Sequence, residues 1–73
     1  MSSQADELLK AVFNAYNNGT EYTINTPPSG EIHNFNMVLK EIEEYITFTR
    51  RDLLKISITL SDKGLEYFLE NMD

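Results

Sequence analysis

The feature that most constrains the fold of this sequence is a change of hydrophobic period within residues 45–69. Apolar and polar residues alternate over 46–49 and again over 54–60, as in half-buried β-strands, and a charged turn at 50–53 separates the two runs. From residue 61 onward the apolar residues recur at helical spacing. The pattern predicts a β-hairpin that leads directly into a helix.

The helix after the hairpin has a clear predicted start. Ser61 is in position to cap it, and Gly64 in its first turn lets the helix approach the sheet closely. Tyr67 falls off the core-facing stripe of this helix and is expected to face solvent. The predicted stripe consists of Leu65, Phe68, Leu69 and Met72.

Two amphipathic helices are predicted upstream of the hairpin. The first spans residues 3–17 and begins at Ser3 with Asp6 three positions later, and Asn17-Asn18-Gly19 offers residues that tolerate the left-handed conformation that closes many helices. The second spans residues 31–45, and its apolar arc consists of Ile32, Phe35, Val38, Leu39, Ile42, Tyr45 and Ile46. Its opposite arc changes from amide and imidazole groups to acids, in the order His33, Asn34, Asn36, Met37, Lys40, Glu41, Glu43 and Glu44.

A short strand is predicted between the two helices. In residues 21–25, Tyr22 and Ile24 alternate with polar residues. Because a two-stranded hairpin alone is marginal in water, we expect this strand to pair with it in a three-stranded antiparallel sheet. Two consecutive prolines then end the strand, and Thr26 or Ser29 is expected to cap the next helix.

The predicted fold class is therefore α+β, with one domain over residues 1–73 and the order helix, strand, helix, hairpin, helix. The core is expected to form where the inward faces of the last three elements meet. The residues predicted to be largely buried there are Phe35, Leu39, Ile42, Phe48, Ile56, Ile58 and Phe68.

Residues 60–68, Leu-Ser-Asp-Lys-Gly-Leu-Glu-Tyr-Phe, resemble the segment that leaves the wing in many small bacterial and phage winged-helix proteins. This resemblance implies a winged-helix-like fold and a non-enzymatic regulatory role, most often on DNA. It makes the helix over 31–45 the recognition helix and the hairpin the wing. The short second helix of that family would fall at residues 26–30, where the prolines leave room for one turn at most.

The composition is acidic, with twelve Asp and Glu against six Lys and Arg and a formal charge of −6. Such a surface repels polyanions, so DNA binding is expected only through a local basic spot. The absence of cysteine excludes disulfides and thiolate chemistry and favours a reducing, cytoplasmic location. An acidic N-terminal segment and short apolar runs predict no secretory signal and no membrane span.

The candidate DNA contacts lie on the second predicted helix and at the hairpin turn. An asparagine on the exposed helix face can pair with adenine, a lysine can reach guanine or phosphate, and a cationic wing tip can reach phosphates or the minor groove. Acids at the end of the same helix would repel the DNA backbone. The alternative for each residue is a solvated helix face or a solubilising turn. The footprint consists of Asn34, Asn36, Lys40, Arg50, Arg51 and Lys55.

A protein-interaction module on the same scaffold is the competing class. At the end of the hairpin, alternation turns one of Leu53 and Leu54 inward and the other to solvent. Together with Tyr67, the exposed leucine would form a patch for a partner protein or a second copy. A domain this small buries little surface, so homodimerisation is a natural source of added stability.

No constellation for catalysis, metal or cofactor binding is apparent in the sequence. His33 is the single histidine and has Glu31 and Glu41 as its nearest possible co-ligands. The serines lie in no nucleophile turn, and the glycines form no phosphate loop. Enzymatic activity is therefore not expected.

Overall fold

The computed structural model describes residues 2–71 and has three α-helices and three β-strands within that range. They are α1 (Ser3–Asn17), β1 (Tyr22–Asn25), α2 (Ile32–Ile42), β2 (Ile46–Arg51), β3 (Lys55–Leu60) and α3 (Asp62–Asn71), with a 3-10 turn (Glu43–Tyr45) between α2 and β2. This order confirms the predicted α+β class and the predicted sequence of elements. Across residues 2–71, no helix has both the length and the apolar character that crossing a membrane requires.

The three strands form one antiparallel sheet in the order β1-β3-β2. β1 pairs with the second strand of the hairpin, so that Tyr22 lies opposite Ile58 and Ile24 lies opposite Ile56. The predicted addition of residues 21–25 to the hairpin is therefore confirmed. As the central strand, β3 has three consecutive buried residues.

The core is built by side chains of α1, α2 and one face of the sheet. Its buried members are Ala5, Leu9, Val12, Leu39, Ile42, Ile46, Ile56, Ile58 and Leu60. Four of the seven residues predicted to be buried belong to it. The three phenylalanines of that prediction, Phe35, Phe48 and Phe68, are only partly buried and pack against its edge. A domain of 73 residues encloses a small interior, so rings of this size remain at its rim.

Helix α1 covers the predicted residues, but its capping residue is one position earlier than predicted. The cap is Ser2 rather than Ser3, because the Ser2 hydroxyl accepts a hydrogen bond from the Ala5 N–H over 3.2 Å. The Glu41 carboxylate accepts from both the backbone N–H and the hydroxyl of Ser2, at 2.9 and 2.7 Å. At the other end Gly19 adopts a φ of 75°, the left-handed conformation predicted for this helix end.

Helix α2 is shorter than predicted and has a different start. It ends at Ile42, where the chain tightens into the 3-10 turn instead of continuing as α-helix to residue 45. No side chain caps its first turn, so the expectation for Thr26 and Ser29 is wrong. The segment between β1 and α2 contains turns and no helix, which agrees with the limit of one turn set by the prolines. Thr26 instead donates its hydroxyl to the Asp52 carbonyl at 2.7 Å.

Helix α3 is fastened to the 3-10 turn. Ser61 caps it as predicted, accepting from the Gly64 N–H at 3.1 Å, and donates its own hydroxyl to the Glu44 carbonyl. A Cβ on Gly64 would overlap the carbonyl oxygen of Tyr45, so the close approach made by this glycine is to the 3-10 turn and not to the sheet face. This docking turns Tyr67 toward Tyr45, with ring centroids 4.8 Å apart.

The predicted inner stripe of α3 is therefore partly wrong. Leu65 and Phe68 pack against the core, and the Phe68 ring stacks on Phe13 with centroids 4.1 Å apart. Leu69 is 68% exposed, whereas Tyr67, expected at the surface, is half-buried. Met72, the last member of the predicted stripe, lies outside the described residues.

Candidate functional site

A β-bulge in β2 decides which way the basic side chains of the hairpin point. Phe48 pairs with Ile58, but Arg51 pairs with Ile56, so Thr49 is an extra residue between the two pairs. Side chains alternate between the faces of a regular strand, and three steps from Phe48 would bring Arg51 to the opposite face. The extra residue reverses this alternation. Arg51 therefore lies on the same face as Phe48, beside α2.

Two contacts hold the Arg51 side chain against α2. Its Nη2 donates to Asn36 Oδ1 at 3.0 Å, and its Cζ lies 4.6 Å from the centre of the Phe48 ring. A cation over an aromatic face is attracted by the ring quadrupole, and the hydrogen bond fixes the rotation of the guanidinium plane. Of the five N–H donors of an arginine, one is used by Asn36, which leaves donors for an anion.

The exposed side of α2 supplies the facing wall. His33, Asn36, Met37 and Lys40 recur at helical spacing along one strip, and Glu43 follows at its end. Together with Phe48 and Arg51 they line a groove of about 380 Å³, the α2–β2 groove. Lys40 and Arg51 thus line one groove from two elements that are separate in sequence.

The structure divides the predicted DNA footprint into two sets. Asn36, Lys40 and Arg51 meet in the α2–β2 groove. Asn34 lies about 200° from Asn36 around the helix and lines a second groove with Glu7 and Glu31, where α1 packs beside α2.

The other two predicted cations, Arg50 and Lys55, lie on the outer face of the sheet. Arg50 Nε forms an ion pair with Asp52 at 2.7 Å, and Lys55 Nζ donates to Asn25 Oδ1 at 2.9 Å. By register, Arg50 pairs with Ser57, whose hydroxyl bonds to a threonine of β1 on that face. The three hairpin cations therefore straddle the sheet instead of forming one patch.

The turn of the hairpin is held by the carboxylate of Asp52. The backbone N–H of Lys55, the Arg50 guanidinium and the backbone N–H of Leu54 all donate to it, and they lower the pKa of Asp52 from 3.8 to about 2. The backbone of β1 adds a further tie, because the Thr26 N–H donates to the Leu54 carbonyl at 3.0 Å. The hairpin tip, residues 50–55, is thus pinned from both sides.

Two of the three acids expected to oppose a polyanion point elsewhere. Hydrogen bonds from Ser2 lower the pKa of Glu41, which faces the start of α1. Glu44 pairs with Lys63 at 3.1 Å, and this contact lowers the pKa of the Glu44 carboxyl. Glu43 is the acid that lines the α2–β2 groove. The repulsion expected from the sequence is reduced there to one carboxylate.

Charge is segregated between the sheet and the helices. The three strands carry Arg50, Arg51 and Lys55 and no acidic residue. Within residues 2–71, the acids lie on the helices, in the 3-10 turn, in the loops and at Asp52. Two cations on helices, Lys10 and Lys63, are paired with Asp6 and Glu44.

The leucines of the hairpin tip are more exposed than predicted, and Tyr67 does not join them. Leu53 is 93% exposed and Leu54 is 72% exposed, so neither turns inward. Leu54 precedes the first paired residue of β3 and therefore does not follow the strand alternation assumed for it. Tyr67 packs on Tyr45, immediately before β2, and the six residues of β2 span about 20 Å to the tip. The predicted patch of Leu53 and Tyr67 is therefore not formed within one chain.

Comparison of this chain with protein-family models, curated proteins and solved structures finds no match. The geometry of the described residues offers no grouping of three metal-ligating side chains.

The features that distinguish this molecule are thus the α2–β2 groove and the exposed tip. The bulge that creates the groove has no local sequence signal, whereas the separation of Asn34 from Asn36 follows from helical spacing alone.

Proposed function

We propose that this chain is a small, non-enzymatic winged-helix-like module that binds double-stranded DNA, with α2 in the recognition position and the β2–β3 hairpin as the wing. The order of elements and the β1-β3-β2 sheet support this assignment. The observation that carries the proposal is the bulge at Thr49, which brings Arg51 alongside Lys40 in the α2–β2 groove.

The two cations suit contacts to successive phosphates. A guanidinium presents paired donors that match phosphate oxygens, and the Asn36 and Phe48 contacts orient Arg51 before any ligand binds. Because Asn36 Oδ1 already accepts from Arg51, Asn36 is a positioning residue and is not free to pair bidentately with adenine. Lys40, His33 and Met37 then face the base edges or the adjoining backbone.

The missing helix between β1 and α2 sets an upper limit on affinity. In helix-turn-helix proteins the helix before the recognition helix crosses the DNA backbone, and here that segment contains turns. Binding therefore depends on α2 and the hairpin, with about two to four phosphate contacts and a correspondingly shallow dependence on salt.

Fluorescence anisotropy with random duplex DNA tests the proposal. At low salt we expect binding within about 100 µM protein, the upper end of usual non-specific affinity. Lys40→Gln should weaken it about tenfold, the effect of losing one phosphate contact. Lys10→Gln is the matched control, because it removes the same charge from α1, where Lys10 pairs with Asp6. Absence of binding by the wild type, or equal losses in the two variants, would contradict the proposal.

A partner protein is the second candidate, favoured by the exposure of Leu53 and Leu54 on an acidic molecule. A pull-down from lysate of the source organism, with and without nuclease, separates the two classes. Partners retained after nuclease treatment and lost in a Leu53→Asp, Leu54→Asp variant would favour this second function.

A further inference from the structure

The second groove, between α1 and α2, combines an apolar floor with acidic edges. Leu8, Ala11, Phe35 and Val38 contribute to its floor, and Tyr22 and Pro27 close one end. Glu7 and Glu31 lie at its edges, and both are exposed. With a volume of about 500 Å³, this α1–α2 groove is large enough to take several apolar side-chain atoms.

The hairpin tip has the complementary chemistry. Leu53 and Leu54 project from it with 93% and 72% of their surface exposed. Lys55 and the Arg50–Asp52 ion pair flank them on the outer face of the sheet, so the charge on that side of the tip is net positive. An apolar knob with a positive flank fits an apolar groove with acidic edges, because each buries apolar area while opposite charges meet at the rim.

The tip and the α1–α2 groove are neighbours on one surface. Thr26 bonds through its N–H and its hydroxyl to the backbone of the tip, and the next residue, Pro27, lines the groove. The tip cannot fold back to fill the groove of its own chain, because these bonds and the Asp52 carboxylate hold it in place. A surface with a knob beside its matching groove is self-complementary, which is the requirement for a two-fold contact.

We infer that two copies of this chain associate about a two-fold axis, each placing the Leu53-Leu54 tip in the α1–α2 groove of the other. Both contacts are then identical, and the assembly closes as a dimer instead of extending into a fibre. The inference is independent of DNA binding. Asn34 in this groove and Asn36 in the α2–β2 groove lie on opposite sides of α2, so the dimer leaves the α2–β2 groove open.

Sedimentation equilibrium of the purified chain is the primary test. We expect a reversible dimer with a dissociation constant between about 10 and 500 µM, because tip and groove are smaller than a standard interface of about 800 Å² per partner. Added salt should weaken it, since the rim contacts are between exposed charges. A monomer mass at every concentration up to about 1 mM, above the upper end of this range, would overturn the inference.

Leucine variants locate the contact. Leu53→Asp with Leu54→Asp should weaken the dimer at least tenfold, roughly the loss expected for one buried leucine. Leu69→Asp is the matched control, because Leu69 is also an exposed leucine, 68% accessible, but lies on α3 away from the tip. Circular dichroism should report the same fold for both. A dimer that survives in the tip variant, or is lost in the control as well, would place the interface elsewhere.

A mixing experiment tests the reciprocal docking itself. A groove variant, Glu7→Lys with Glu31→Lys, should also be monomeric at concentrations where the wild type dimerises. Mixed with the tip variant, it should form a heterodimer, because the intact tip of one chain meets the intact groove of the other. Only one of the two contacts is intact in this heterodimer, so it should be weaker than the wild-type dimer. If the mixture shows no more association than either variant alone at every concentration, tip-to-groove docking is wrong, and a tip-to-tip contact or a different protein partner replaces it.

Discussion

The two sides of α2 present opposite chemistry to the surroundings. On the β2 side, cations from two elements line a groove whose central arginine is fixed by Asn36 and Phe48. On the α1 side, the groove is apolar and edged by Glu7 and Glu31. One short helix thus presents two unlike surfaces, because residues two positions apart lie on opposite flanks. Asn34 and Asn36 therefore lie in chemically different grooves, although both are exposed asparagines of the same helix.

The core beneath α2, the helix that borders both grooves, should show the largest effect. Leu39 is 4% exposed and belongs to the core cluster beneath α2. Leu39→Ala should lower the free energy of unfolding by about 2 to 5 kcal/mol, through lost burial and a residual cavity. Since a small domain has only about 5 kcal/mol to lose, much of the chain should unfold and both binding activities should fall together. Urea denaturation measures the loss, and a Leu39→Ala protein of wild-type stability would show that α2 is not anchored here.

Removing the Arg51 guanidinium should affect one groove and spare the other. Arg51→Ala leaves the pairing of β2 unchanged and takes one cation from the α2–β2 groove. We expect about tenfold weaker binding to duplex DNA at low salt, as for the loss of one phosphate contact.

Deletion of Thr49 is the matched control. It removes the extra residue, so Arg51 comes to lie two positions from Phe48 and stays on the same face of the sheet. Affinity for DNA should therefore be retained in the deletion, and dimerisation should be unchanged in both variants. An undiminished affinity for DNA in Arg51→Ala would separate Arg51 from the function of the α2–β2 groove.

Acid should loosen the hairpin tip as the Asp52 carboxylate is protonated. The folded pKa of Asp52 is about 2, below its ordinary value of 3.8, so the ionised carboxylate stabilises the turn at every pH above 3.8. That stabilisation is lost as the pH falls from 3.8 through about 2. Amide chemical shifts of Leu54 and Lys55 should follow this titration, and Asp52→Asn should abolish it. A midpoint near 3.8 would mean that the carboxylate does not hold the turn.

The smallest expected effect concerns the leucines at the tip. Leu53→Ala should change the free energy of unfolding by less than about 0.5 kcal/mol, because a side chain that is 93% exposed gives up little on truncation. Thermal unfolding at low protein concentration, where the chain is monomeric, measures this. A large loss of stability would show that Leu53 packs within its own chain.

The sequence predicts the elements of this fold better than the direction of individual side chains. Periodicity locates β1, the hairpin and the Ser61 cap, because each depends on contacts close in sequence. Leu69 is exposed and Tyr67 is half-buried, the reverse of the prediction. This reversal depends on the docking of Gly64 against the Tyr45 carbonyl, a contact between distant segments.

In the candidate site, too, the features that the sequence did not predict depend on contacts between distant segments. The bulge at Thr49 places Arg51 beside α2 without any local signal. Likewise, the bonds from Ser2 and Lys63 that draw Glu41 and Glu44 away from the groove exist only in the folded chain.

The absence of acids from the strands gives the molecule an electric polarity that its net charge conceals. Although the chain carries a formal charge of −6, its negative end is helical and its positive end is the hairpin. A polyanion that approaches α1, α3 or the 3-10 turn is repelled at distances near the Debye length, about 8 Å at physiological ionic strength. A polyanion that approaches from the hairpin side meets a positive potential instead. For a polyanion such as the DNA proposed above, this field would favour approach from the hairpin side and disfavour the other faces.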